Sequence, residues 1–199
     1  MEVELENLII SDQELVRQFV DGSHSAFDAL LNRHKQKVYS YIMMAVRDQA
    51  LADDIFQETF IKVVRSLRDG RYFENGKFLS WVIRIAHNLV IDHFRRVKQL
   101  GTTNAGSFEW DVFNSPQYSD SNVEQEIIQS QILSDVRNLI DFLPEEQREV
   151  VIMRHYMDLS FKEIAEITDV SINTALGRMR YALINLRKLV AEKQIVLTH

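Results

Sequence analysis

Residues 160–190 run SFKEIAEITDVSINTALGRMRYALINLRKLV. Ser160, with Glu163 three positions on, opens a short amphipathic helix through Ile167 as a capping box, in which side chains and backbone N–H groups satisfy one another. Ala165 is small where a second helix has to cross closely. Thr168, Asp169 and Val170 make a brief turn, and Ser171 caps a longer helix. In that helix Ile172, Leu176, Met179, Leu183, Leu186 and Val190 recur at alternating intervals of four and three, which predicts one apolar stripe. The face left over carries Asn173, Thr174, Gly177, Arg178, Tyr181 and Asn185.

A short helix, a tight turn and a polar, basic second helix is the plan of a helix-turn-helix. Its second helix enters the major groove with its N-terminal residues at the base edges. Arg178 suits guanine or a phosphate, and Asn173 and Thr174 suit base edges or the backbone. The helix start capped by Ser171 also offers free N–H groups to a phosphate. The same segment reads equally as a helical hairpin with a solvated charged face, and alone it does not decide between the two.

The remaining sequence extends the helical pattern. Ser11 and Glu14 form a second capping box, opening a helix through Leu15, Phe19 and Val20 that ends at Asp21-Gly22. Ser23 starts another, with Phe27, Leu30, Leu31, Val38 and Ile42 as its stripe. A third runs from about Ala50 to Leu67, with Ile55, Phe60, Ile61, Val63 and Val64 as apolar members. A fourth, from about Phe78 to Lys98, is apolar nearly all round in its first half, which places it at the centre of its domain. Further helices are expected over about 123–142, 144–156, 160–167 and 171–191. Pro144 suits the first turn of its helix, where a missing N–H costs nothing. Between the two sets, GTTNAGSFEWDVFNSPQYSDSN (101–122) has no sustained period and reads as a flexible linker, with Trp110 and Phe113 as docking points. The expectation is an all-α protein: two small helical domains, 1–100 and 123–199, joined by the acidic and polar linker 101–122.

Composition narrows the function classes. Hydrophobic residues make up 46 % of the 199, enough for real cores. No apolar run approaches the ~20 residues of a membrane span, so no membrane insertion is expected. The segment Met1–Asn7 carries three glutamates and no cation, unlike a secretory signal. A cytoplasmic protein is expected. The absence of cysteine excludes disulfides and thiolate zinc sites. The net charge of −6 hides an asymmetry. Residues 100–130 hold five acids and no Lys or Arg, whereas Arg178, Arg180, Arg187 and Lys188 face no acid between Ser171 and Val190.

Two more groups of residues point to partners. Asp54, Glu58 and Lys62 stand at i, i+4 and i+8 and, with Gln57 and the neighbouring Asp53, form a polar ridge on the third helix. Such a ridge docks on a basic helix or is merely solvated. An Asp-Asp-x-x-x-Glu cluster also binds Mg²⁺ and diphosphate in all-helical synthases, but the second acidic motif and large apolar pocket that requires are not visible. In the fourth helix Trp81, Arg84, His87, Asn88, Arg95 and Arg96, with Asp92, mix aromatic faces, amides and cations, as holding a single strand requires. In the plain structural alternative Trp81 and Phe78 are core and His87 is a satisfied surface group. His87 and His93, six apart, fall on different faces and cannot share a metal. No metal, cofactor or catalytic machinery is expected.

Taken together, DDIFQETFIKV (53–63), GKFLSWVIRIAHNLVIDHFRR (76–96) and LPEEQREVVIMRHYMDLSFKEIAEI (143–167) followed by the helix-turn-helix resemble the extracytoplasmic-function (ECF) sigma factors, in that family's order. The resemblance covers roughly residues 11–190. It implies that the first domain is sigma region two and the second sigma region four. Asp54, Gln57, Glu58 and Lys62 would then bind the clamp helices of the largest subunit of core RNA polymerase. Trp81, Arg84, His87, Asn88, Arg95 and Arg96, with the loop 71–77, would open and hold the −10 element of promoter DNA, Asn88 lining the pocket of a flipped base. Ser171, Asn173, Thr174, Gly177, Arg178 and Tyr181 would read the −35 duplex. Catalysis would stay with polymerase, the acidic linker would run near its RNA exit path, and control would fall to an anti-sigma factor, no further sensory domain being present.

The chain departs from that pattern in two places. The usual recognition-helix start resembles Thr-Val-Lys-Ser-Arg, whereas here it is Thr174-Ala175-Leu176-Gly177-Arg178. One cation and one hydroxyl are missing, and their contacts do not carry over. Gly177 costs ~1 kcal/mol against alanine within a helix. Asp169 stands in the turn where glycine is common. Two other readings remain: a stand-alone regulator using only its helix-turn-helix, and an interaction adaptor that never touches DNA.

Overall fold

The computed structural model describes residues 10–72, 76–99 and 139–193. Among them the chain is all-α, with seven helices and no strand. It divides into two compact units, Met1–Ser107 and Phe108–His199. The segment 101–122, with Trp110 and Phe113, lies outside the described residues, as does most of the helix expected over 123–142; its last turn is helical at Leu139 and Ile140.

In the first unit α1 (Asp12–Val20), α2 (His24–Val46), α3 (Gln49–Arg68) and α4 (Phe78–Gln99) pack around one core. Leu30, Val38, Ile42, Val63, Val82 and Ile83 are fully enclosed there. Caps set the helix starts. Asp48 accepts from the Leu51 N–H at 2.8 Å, and Ser11 from the Glu14 N–H at 3.2 Å. The second capping box forms only by half, because the Glu14 carboxylate turns to Arg17 and Gln18 instead. Helix α1 is fastened to α2 by Asp12, which bonds Arg33 through one oxygen and His34 Nε2, at 2.7 Å, through the other. Arg33 also donates to the Ile10 carbonyl at 2.9 Å.

Helix α4 is less central than its composition suggests. It packs on α2 and α3, while α2 touches all three other helices. Burial of α4 is confined to the side bearing Phe78, Val82, Ile83, Ala86, Leu89 and Val90. Ile61, expected inside, is 50 % exposed on α3.

In the second unit α5 (Glu145–His155), α6 (Phe161–Thr168) and α7 (Ile172–Glu192) form a trihelical cluster. Pro144 lies one position before α5, as its cap residue with extended backbone, rather than inside the first turn. Val150, Val151, Ile152 and Met153 are all buried, so α5 is the enclosed helix. The capping box at Ser160 and Glu163 is complete: Ser160 N–H donates to Glu163 at 2.9 Å, and Glu163 N–H to Ser160 Oγ at 3.3 Å. Asp169 adopts the left-handed conformation, φ 53° and ψ 46°, that glycine usually supplies. Aspartate visits this region more readily than most residues. The turn is thereby made without glycine.

The buried side of α7 is not the 4-3-4-3-4 stripe. Ala175, Met179 and Ala182 point inward, whereas Ile172, Leu176 and Leu183 are more than two-fifths exposed. Alanines at the crossing let α6 and α5 approach closely, and the axis of burial rotates by more than half a helix residue's arc towards them.

Candidate nucleic-acid interface

Three exposed surfaces carry the residues singled out in the sequence. On α7, Ser171 Oγ accepts from the Thr174 N–H at 3.0 Å and meets the Thr174 hydroxyl at 2.8 Å, which fixes the helix start. Asn173 and Tyr181 are exposed, and Gly177 and Arg178 are half-buried. At 100° per residue, Asn173, Gly177 and Tyr181 look outward, opposite the Ala175–Met179–Ala182 side, with Thr174 and Arg178 on one flank. Asn185 leaves this face: it donates to Gln147 at 2.8 Å and ties α7 to α5. Arg180 is exposed on the other flank, beside Asn173, and borders the surface, although the sequence reading did not select it.

On α4, Trp81, Arg84, Asn88 and Arg95 fall in one stripe, with Arg96 at its edge. Arg84, Asn88, Arg95 and Arg96 are exposed and Trp81 half-buried. Arg95 pairs with Asp92 at 3.4 Å, an exposed contact worth under ~1 kcal/mol. The Trp81 ring packs at 4.4 Å on Tyr72 and at 5.9 Å on Phe78, making an aromatic platform at the helix start. His87 is not on this surface. It is 8 % exposed, and its Nδ1 lies 3.0 Å from the Tyr41 hydroxyl. The reading of His87 as a strand-contacting or surface group is corrected: it sits over 90° round the helix from Asn88 and faces α2.

On α3, Asp54, Gln57, Glu58 and Lys62 are all exposed, and Lys62 pairs with Glu58 at 3.2 Å. Exposed Ile61 lies at the C-terminal end of this ridge, one turn on from Gln57 and Glu58 and beside Lys62. Asp53 turns aside and accepts from Tyr39 at 2.9 Å. Burial and the Asp53 carboxylate together push the Tyr39 hydroxyl up from its usual pKa. Among the described residues, no group of three or more His, Asp or Glu side chains is placed to hold a metal ion. Among the described residues no helix is long and apolar enough to cross a membrane.

The family model for Sigma-70 region 2 matches residues 30–99, and that for Sigma-70, region 4 matches 133–181. The RNA polymerase sigma-H factor of Pseudomonas aeruginosa is 30 % identical over 174 residues, covering 84 % of this chain and 88 % of that protein. The chain belongs to the ECF sigma factors of RNA polymerase. The ECF sigma factor SigW of Bacillus subtilis is 27 % identical over 176 residues, covering 87 % of this chain and 93 % of SigW. As a sigma factor it serves promoter-specific transcription initiation by RNA polymerase.

Two solved structures share the fold of this sigma factor. CnrH, in complex with the cytosolic domain of CnrY, gives a TM-score of 0.62 at 22 % identity, covering 92 % of this chain and 99 % of CnrH. The sigma factor RpoE of Bartonella quintana, in complex with the anti-sigma factor NepR, gives 0.64 at 18 % identity, covering 83 % and 96 %. The ridge on α3 and the stripe on α4 both fall inside the region 2 match, and the start of α7 inside the region 4 match. Sequence reasoning missed Ile61 and Arg180 for one reason. Residue type signals burial or charge, but which side of a helix is covered depends on partners distant in sequence.

Proposed function

We propose that this sigma factor holds the unpaired −10 strand on α4, reads the −35 duplex with the start of α7, and rides on the clamp helices of the largest polymerase subunit through the α3 ridge. The observation that carries the reading is the α4 stripe. Its platform of Tyr72 and Trp81 is followed by Arg84, Asn88 and Arg95 along one solvent-facing line, while Phe78, Val82, Ile83, Ala86, Leu89 and Val90 of the same helix turn inward. Base stacking on an aromatic contributes ~1–3 kcal/mol per base, and cations spaced along the line meet the backbone. Opening a base step costs a few kcal/mol, which these contacts offset. Exposed Asn88 offers both an amide donor and an acceptor to a base edge.

On α7, Asn173, Gly177, Arg178 and Tyr181 form the duplex-reading surface with Arg180, and Ser171 and Thr174 fix its start. Residues 1–100 act as sigma region two and 123–199 as sigma region four, with 101–122 between them. CnrH and RpoE are each seen with a partner, NepR being an anti-sigma factor. We extend such a partner to this chain, which has no cysteine with which to sense redox state itself.

Thymine reactivity to permanganate in assembled holoenzyme tests the division of labour. Arg84→Ala with Asn88→Ala should abolish −10 reactivity and keep upstream protection. Arg178→Ala should weaken −35 binding by ~1–3 kcal/mol if it makes a bidentate base contact. Undiminished thymine reactivity in the double variant would remove α4 from the reading.

A further inference from the structure

Leu176 is 44 % exposed on α7, although its spacing in the sequence marks it as a core residue. It stands one turn from Asn173 on one side and one turn from Arg180 on the other, and both of these are exposed. Ile172 and Leu183, also exposed, lie roughly 20–40° further round the helix, towards buried Met179. Leu176 is therefore the apolar side chain set among the outward polar groups. Gly177 beside it carries no side chain, and the space over it is open: a Cβ placed there meets nothing within 4 Å. A surface brought against the start of α7 reaches Leu176 without obstruction.

The surroundings select the class of that surface. Arg178, Arg180, Arg187 and Lys188 meet no acid between Ser171 and Val190, a pattern that suits a polyanion rather than an apolar protein helix. The Ser171 and Thr174 hydroxyls meet at 2.8 Å, and Ser171 Oγ also accepts the Thr174 N–H at 3.0 Å, so both are committed to the helix start. Asn173 and Leu176, one turn apart, are left to face base edges. An amide matches adenine through N6 and N7, and the apolar feature of the major groove is the thymine C5-methyl. Cytosine has only hydrogen at that carbon. We infer that Leu176 packs on a thymine methyl of the −35 duplex, beside an adenine taken by Asn173, and so selects A·T pairs there. The assignment rests on the reading of α7 as the duplex-reading helix.

The test uses the full chain assembled with core polymerase, and promoter duplexes recovered from genomic fragments that this assembly transcribes. Each −35 thymine is replaced singly by deoxyuridine, which removes the methyl group and keeps every hydrogen-bonding atom. At one position the wild type should lose affinity about fourfold, as leaving one methyl group unburied does. Leu176→Ala should bind the unmodified duplex more weakly and be indifferent to that replacement, with its affinity for core polymerase unchanged. Leu183→Ala, on the same flank about two turns further on, should respond as the wild type does. If no thymine methyl matters to the wild type, or if Leu176→Ala responds equally, the assignment of Leu176 alone is overturned. Weakened core binding by Leu176→Ala places the side chain against polymerase and overturns it too. A response lost in Leu183→Ala as well marks a general disturbance of α7 and has the same consequence. If the wild-type assembly does not hold the upstream duplex at all, the reading of α7 fails and takes Leu176 with it.

Discussion

His87 Nδ1 and the Tyr41 hydroxyl meet at 3.0 Å inside the N-terminal unit, so the histidine of the α4 motif serves the joint between α2 and α4. Removing one partner of a buried polar pair leaves the other unsatisfied, at a cost of about 1–3 kcal/mol. Tyr41→Phe should lower the denaturation midpoint accordingly and leave strand binding by the folded holoenzyme unchanged. An unaltered midpoint would show that the bond contributes nothing.

Gly177 sits within α7, and a Cβ placed there meets nothing within 4 Å. The free protein therefore has no steric need for glycine. Gly177→Ala should stabilise the C-terminal unit by about 1 kcal/mol. If the backbone here approaches DNA closely, the same methyl costs about 1–3 kcal/mol of duplex affinity. Thermal melts and −35 duplex titrations separate the two effects. Equal duplex affinity would show that the glycine serves neither partner.

Reversing charge at Glu58 breaks the exposed pair with Lys62, which changes folding stability by under about 1 kcal/mol. Against a basic helical surface, like charge costs several kcal/mol. Glu58→Lys should thus melt normally and bind core polymerase more weakly, most visibly at low salt. Unchanged affinity there would count against the ridge as the docking face.

Burial disfavours the Asp12 charge, but hydrogen bonds and charges from His34 and Arg33 outweigh it and hold the carboxyl below its ordinary value of 3.8. A depressed folded pKa means that the stabilisation is complete above the unfolded value and lost as pH falls through the folded one. Stability should therefore drop below about pH 4. Asp12→Asn should lower the urea midpoint at pH 7 and flatten that acid limb. A limb as steep in the variant as in the wild type would assign the acid sensitivity elsewhere.

Much of the architecture was legible because local chemistry dictates it. Ser160 and Glu163 announce α6 by their reciprocal bonds, and Ser11 and Ser171 cap their helices wherever the tertiary fold places them. The contents of each helix face were less legible. Counting large apolar residues on α7 selected Ile172, Leu176 and Leu183, yet close crossing favours Ala175 and Ala182 on the inner side. His87 and Asn185 look like surface groups by type. Their partners, Tyr41 and Gln147, stand 46 and 38 residues away, beyond any local signal. Arg84, Asn88 and Arg95 share a helical spacing that the sequence displays, and all three are exposed on α4.

Transcription from fragmented genomic DNA by core polymerase, with and without the purified chain, tests the account most directly. Discrete RNAs with defined starts should appear only when the chain is present, and disappear with Arg84→Ala and Asn88→Ala combined. No chain-dependent RNA, together with no complex between the chain and core polymerase once any bound inhibitor is removed, would contradict it.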